Sequence, residues 1–281
     1  RDAGDGDRQP VRYRLGCIVH SGHLWGHVRS RPRPSRALKN YLVKGQWWSL
    51  MTSLADRGLP RVRILLALSH VRYDAMNVLI AGSHGGVGQH ITEVLSERDH
   101  TVHAMVREES QVSEMEAYGV EVVVADLTED VSHAVDGNEA IIFAAGSGGE
   151  DVEGVDRDGA IRLIDEAEAH GVPRFVMLSA INADNSAESP DALRPYLEAK
   201  LAADEHLHES DLTGTIVRPG ELTDESATGQ IEAARRVERG QVTRADVART
   251  LATALDIENT YGKTFEMIEG DEPIESALET V

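Results

Sequence analysis

Residues 77–95, NVLIAGSHGGVGQHITEVL, constrain the possible folds more than any other stretch of the chain. NVLIA is a short apolar run that closes on Gly82, as a parallel strand covered on both faces does. After the glycines, Val87, Ile91, Val94 and Leu95 recur at helical spacing. Gly82, Gly85 and Gly88 therefore form G-x-x-G-x-x-G where a strand passes into a helix. Such a turn needs permissive backbone at Gly82. A side chain at Gly85 would hold a pyrophosphate away from the main chain, and Gly88 lets helix and strand approach closely. The helix N-terminus then offers unpaired N–H groups to phosphate. A glycine triplet alone is a weak signal, but in a strand–turn–helix setting it is fairly specific. The residues expected to wrap the ligand are Gly82, Ser83, His84, Gly85, Gly86, Val87 and Gly88. His84 reads more simply as an exposed turn residue than as a phosphate contact.

The pattern continues to the end of the chain. TVHAMVR (101–107), VEVVVAD (120–126), EAIIFAAG (139–146), RFVMLSA (174–180), TGTIVRPG (213–220) and TFEMIEG (264–270) read as further strands. Helices are predicted in SEMEAYG and near 156–170, 193–209 and 244–256. Alternating strands and helices imply an α/β fold, a doubly wound parallel sheet of Rossmann type.

Charge divides the chain at Met76. Residues 1–75 hold 14 basic and 5 acidic residues, whereas residues 76–281 hold 14 basic and 43 acidic ones. The first segment lacks steady periodicity and contains all three tryptophans, Trp25, Trp47 and Trp48. It is expected to be a poorly ordered basic extension translated from upstream of a natural start at Met76, and 47–56 or 61–70 are the stretches where short helices could form. A nucleic-acid-binding arm and a targeting leader are the competing readings. The second segment is expected to be a single domain, 76–281. Its only lysines are Lys200 and Lys263. Dense, hydrated carboxylates with little lysine suit a surface exposed to high salt and predict a halophilic source. The same charge repels phosphate backbones, so no nucleic-acid partner is expected of this half. Cys17 is the sole cysteine, which rules out a disulfide framework within the chain and suits a reducing cytoplasm. No apolar run approaches the ~18 residues of a membrane span.

The end of the second strand bears on cofactor choice. Arginine there can pair with a 2′-phosphate, whereas an acidic side chain would hold a ribose hydroxyl. Arg107 favours NADP, and Glu108 keeps NAD open. Further along, RPYLEAK places Tyr196 and Lys200 four apart on one helix face. An ordinary tyrosine, of pKa about 10, is a poor acid or base near neutrality. A neighbouring ammonium favours the phenolate and is expected to bring it into range.

With these motifs in hand, the chain from Met76 to about Leu278 resembles the atypical short-chain dehydrogenase/reductases, the NAD(P)-binding NmrA-like and NAD-dependent epimerase/dehydratase group. The resemblance rests on GSHGGVG, VADLTED, IIFAAGSGG, DRDGAIRLIDEAEAHGVPRFVMLSA, LRPYLEAK, TIVRPGELTDE and VTRADVARTL. It implies that Asp126 and Leu127 lie by the adenine and that Ala144, Ala145 and Gly146 line the middle of the cofactor. It also implies that Tyr196 and Lys200 stand beside the nicotinamide, with Lys200 on its ribose. In one respect the chain departs from the group. A serine or threonine commonly follows the fifth strand and polarises the substrate oxygen. Here Ser179 stands one position early and Ala180 takes the usual place, with Asn182 or Ser147 as possible substitutes.

The expectation is an NADP-preferring oxidoreductase or epimerase-like enzyme, monomeric or homodimeric, acting on a small molecule. Residues 220–241 are expected to fold over that substrate. The rival is a cofactor-binding regulator without turnover. His206 and His208 are expected to diverge and bind no metal, and Asp204 and Glu205 read as solvated surface.

Overall fold

The computed structural model describes residues 75–281. The expectations for the preceding residues, including the two short helices, lie outside the described residues. The chain opens with β1 (Asn77–Ala81), α1 (Gly86–Ser96), β2 (Thr101–Val106), α2 (Val112–Glu116), β3 (Glu121–Val124), α3 (Ser132–Val135) and β4 (Ala140–Phe143). A segment of wide π-type turns, Val152–Gly159, runs directly into α4 (Ala160–Ala169). There follow β5 (Arg174–Leu178), α5 (Arg194–Glu209), β6 (Thr213–Pro219), β7 (Glu221–Thr223), β8 (Gln230–Ala234) and β9 (Gln241–Thr243). The last elements are α6 (Arg244–Ala254), β10 (Lys263–Glu269), β11 (Glu272–Pro273) and α7 (Ile274–Leu278).

The main sheet has the order β11-β8-β10-β6-β5-β4-β1-β2-β3. From β10 to β3 every pairing is parallel, while β8 runs antiparallel to both β10 and β11. This is the doubly wound α/β architecture that the alternation of strands and helices predicts. The chain builds outward through β2 and β3, then crosses back to place β4 on the other side of β1. That reversal opens a crevice beyond the carboxyl ends of β1 and β4, where ligands of such sheets bind.

The central strands are apolar on both faces because both faces are covered. Val78 and Ile80 of β1 pack on one side with Ile91, Leu95, Val247 and Leu251 of α1 and α6. Leu79 and Ala81 pack on the other with Leu163 and Ile164 of α4, Phe143 and Phe175. Residues 220–241 include two pieces of strand pairing. Most of the ordered stretches there are strand: β8 joins the main sheet, and β7 pairs in parallel with β9, Glu221 opposite Gln241. No helix among the described residues is long and apolar enough to cross a membrane.

Candidate functional site

The glycine loop sits at the crevice. Gly82 has φ +84°, and a Cβ there would lie 2.6 Å from Ala145 Cα. A Cβ on Gly88 would lie 2.0 Å from Gly82 O, so only glycine lets α1 start this close to the turn. A Cβ on Gly85 would meet only Gly82 O, at 3.2 Å, and would otherwise project into open space. That space borders the N-terminus of α1, where a pyrophosphate would be received. Val87 is buried in the core and positions the helix rather than facing the loop's open side.

Two loop residues have their side chains committed to the protein. Ser83 is buried, and its Oγ donates to Met105 O at 2.8 Å, tying the loop to β2. His84 Nε2 lies 2.9 Å from Glu114 Oε2, and its Nδ1 lies 3.1 Å from Gln111 Nε2. His84 thus braces the loop against α2, a firmer role than an exposed turn residue would have.

Arg244, the first residue of α6, was not legible in this role from the sequence. A Cβ on Gly86 would lie 3.0 Å from Arg244 Cδ and 3.2 Å from its Nε. The arginine therefore crosses the N-terminus of α1 while standing at the N-terminus of its own helix. A cation is unfavourable at either positive helix end. Its partner is Asp224, with Nη1 to Oδ1 at 2.7 Å. Glycines that clear a cradle, helix N–H groups and a cation beside them together fit the diphosphate of a dinucleotide.

At the end of β2, Arg107 is exposed and touches Glu108 at 3.3 Å. Asp126, at the end of the neighbouring strand, is held below the usual carboxylate range. The N–H of Thr128 is the chief cause, and the Thr128 hydroxyl, Arg107 and Arg162 add to it against a desolvation penalty. Leu127 is buried, and its carbonyl accepts from Arg162 Nη1. Ala144 and Ala145 follow β4, with Ala145 against Gly82. Gly146 is next to Asp156, where a Cβ would lie 3.3 Å from Oδ1.

Asp156 leads to the centre of the site. It is 1% exposed, in the π-type segment, and its Oδ2 accepts from Ser147 Oγ at 2.6 Å and Ser147 N at 3.1 Å. Its Oδ1 lies 3.9 Å from Lys200 Nζ. Lys200 is 3% exposed, and its ammonium stands 5.4 Å from the Phe143 ring centre and 5.9 Å from that of Tyr196. Burial pulls the Lys200 pKa down, while Asp156 and Asp204 oppose that shift. Tyr196 behaves contrary to the expectation from its lysine neighbour. Its phenol is pushed up to about 12, first by burial and then by the charges of Asp156 and Asp204. Burial and the two carboxylates act in the same direction, and both favour the protonated phenol.

Asp204 corrects a second expectation. It is 1% exposed, not solvated surface, whereas Glu205 beside it is exposed. Asp204 Oδ2 accepts from Ser179 Oγ at 2.8 Å and from Arg218 Nε and Nη2, both at 2.9 Å. Arg218 continues to Asp184 at 2.8 Å, Asp184 to Arg236 at 2.7 Å, and Arg236 to Glu266 at 2.9 Å. An arginine inside the apolar run TIVRPG was the available signal, because a buried charge demands a partner.

Ser179 therefore gives its proton to Asp204, and Ser147 gives its own to Asp156. Of the two substitutes considered for the missing hydroxyl at Ala180, Asn182 alone has a place in the substrate cleft. It adopts a left-handed backbone, φ +62°. The cleft is about 850 Å³ and is lined by Ala180, Asn182, Tyr196, Leu197, Leu222 and Arg239, among others. From residues 220–241, only Gly220–Leu222 and Arg239–Gln241 reach it. His206 and His208 turn to different partners, Asp165 and Thr264.

The profile of a family described as NAD(P)H-binding matches residues 82–258, from the first glycine of the cradle to beyond α6. The chain belongs to this family. It is 43% identical over 211 residues to the uncharacterized sugar epimerase YhfK of Bacillus subtilis, covering 72% of this chain and 99% of that protein. The structure of the oxidoreductase ylbE from Lactococcus lactis matches with a TM-score of 0.68 and 34% identity, over 73% of this chain and 96% of that one. ChuY, an anaerobillin reductase from Escherichia coli O157:H7, matches with a TM-score of 0.61 and 26% identity, over 69% and 98% of the two chains. Membership in an NAD(P)H-binding family with epimerase and reductase relatives agrees with the cradle. Among the described residues, no cluster of three or more metal-ligating side chains occurs.

Proposed function

We propose that the protein is an NADP-preferring oxidoreductase or epimerase-like enzyme of the short-chain dehydrogenase type, acting on a small carbonyl or alcohol substrate. The observation that carries the reading is the position of Tyr196. It lines the cleft with its proton retained, one helical turn from a buried lysine. A bound nicotinamide would supply or remove hydride. The glycine loop, the α1 N-terminus and Arg244 would hold the diphosphate, and Arg107 would face the 2′-phosphate. Tyr196 would donate its proton to the substrate oxygen during reduction. Lys200 would assist from one helical turn away, and Asn182 is a candidate second donor. In the reverse direction or in epimerisation, the same phenol would receive the proton.

A second reading is supported by Ala180 and by the commitment of Ser179 to Asp204. With one hydroxyl fewer to polarise a substrate, the fold would bind the cofactor and report its redox state without turnover. Mixing the protein with NADPH and a panel of small carbonyl compounds separates the two. Oxidation of NADPH that depends on the carbonyl supports the enzyme. Tight NADPH binding with no consumption across the panel supports the regulator.

A further inference from the structure

Arg239 stands on the wall of the substrate cleft and is exposed. Its Nη2 reaches across to Glu188 O at 3.2 Å, in the segment that leads to Ser189 and Pro190 on another part of the same wall. No carboxylate among the described residues forms an ion pair with it. That is unexpected in a segment where acidic residues outnumber basic ones by 43 to 14. Of the arginines nearby, Arg236 holds Asp184 and Glu266 and Arg244 holds Asp224, whereas Arg235, like Arg239, has no ion pair among the described residues. The one carboxylate lining the cleft, Glu221, does not reach it within ion-pair distance.

Each of the two segments that carry Arg239 and its carbonyl partner has a contact that ties it to the domain. Asp184, near the start of the helical turns that end at Glu188, is held by Arg218 and Arg236. Val237 N donates to Glu266 Oε2 at 3.0 Å. The guanidinium makes a single hydrogen bond to the protein and keeps most of its donors unused. A neutral carbonyl is a weak partner for it, and a charged oxygen pair is a much stronger one. The remaining wall near Tyr196 is largely apolar, with Ile181, Leu193, Leu197 and Leu222.

We infer that Arg239 anchors an anionic group of the substrate, a carboxylate or a phosphate, so that the substrate class is an anionic carbonyl compound. The carbonyl part rests on the reductase reading above, whereas the anion anchor does not. On binding, the guanidinium exchanges Glu188 O for the substrate anion and draws the far end of the molecule toward the mouth. The carbonyl is left near Tyr196. The cation also offsets, within a Debye length, the negative field that would otherwise repel such a ligand.

The test uses the full chain with NADPH bound and three probes: pyruvate, dihydroxyacetone phosphate and neutral acetone. Calorimetry measures binding, and loss of NADPH absorbance measures turnover, at one low salt concentration throughout. Pyruvate or dihydroxyacetone phosphate should bind more tightly than acetone, and the better of the two identifies the anion. Arg239→Gln should weaken anion binding by about 10- to 150-fold. Arg239→Lys should retain part of it, and Arg239→Glu should abolish it. Unchanged NADPH affinity and melting transition in each variant certify the fold. Absence of anion binding, or anion binding undiminished in Arg239→Gln, overturns the inference. Anion binding that depends on Arg239 without turnover of any probe leaves the anchor standing and counts against the reductase reading.

Discussion

Lys200 Nζ lies 3.9 Å from Asp156 Oδ1, with both side chains almost wholly withdrawn from water. Asp156 Oδ1 and Asp204 Oδ1 have no hydrogen-bond partner among the described residues. The lysine therefore sits in a carboxylate-rich pocket, and Tyr196 is raised first by burial and then by those carboxylates. In this state the phenol is better suited to give a proton than to take one.

The first prediction concerns that phenol. The protonated form is favoured in the fold, so its contribution to stability is present below the ordinary tyrosine pKa of about 10. The contribution is lost as pH rises through about 12. Asp156→Asn removes one of the two raising charges and should lower the Tyr196 pKa. Ultraviolet titration, compared with the same backgrounds carrying Tyr196→Phe, isolates this ionisation. A midpoint that does not move would show that the Asp156 charge does not contribute.

Turnover supplies the second prediction. Tyr196→Phe removes the transferable proton and keeps the ring, so NADPH binding should stay nearly unchanged while kcat falls by about 10²- to 10⁴-fold. Lys200→Ala should damage both. Ala180→Ser should raise the rate if the missing donor limits it, since one such donor can be worth ~10²–10³-fold. Steady-state kinetics with cofactor titrations distinguish these cases, and full activity in Tyr196→Phe would favour the regulator.

Cofactor choice can be read from Arg107. Arg107→Ala should cost about 1.5–3 kcal/mol in NADPH binding, or roughly 10- to 150-fold, and far less in NADH binding. Parallel titrations at a common salt concentration measure the difference. Equal losses would place Arg107 away from the 2′-phosphate.

Arg244 should act on both cofactors alike, because the diphosphate is common to them. Arg244→Gln is expected to weaken NADPH and NADH by a similar factor, about 10-fold or more. Asp224→Asn, which releases the guanidinium from its ion pair, should strengthen both. A selective effect on either cofactor would contradict this placement.

The buried charge chain makes a prediction about stability. Arg218→Met leaves Asp204 in the core without its principal partner and should cost about 3–5 kcal/mol. Denaturant unfolding at low and high salt should give similar losses, since a pair this deep is little screened. A loss that vanishes in high salt would mean the network behaves as a surface one.

Sequence alone determined the doubly wound sheet, the glycine cradle, and the placing of Tyr196 and Lys200 on one face of α5. Each is written locally. The NVLIA run, the three glycines and a four-residue spacing are properties of a few neighbouring residues and carry their own geometry. Tertiary structure decided the chemistry those residues can perform. The direction of the Tyr196 shift depends on Asp156, brought from the π-type segment before α4, and on Asp204, turned inward to meet Arg218 of β6. Ser179 looked available until its hydroxyl was found donating a hydrogen bond to that same carboxylate. Within residues 220–241, the pairing of β8 with β10 was likewise not written in the local pattern. An electrostatic field and a hydrogen-bond partner are sums over elements far apart in the chain, and no local pattern records them.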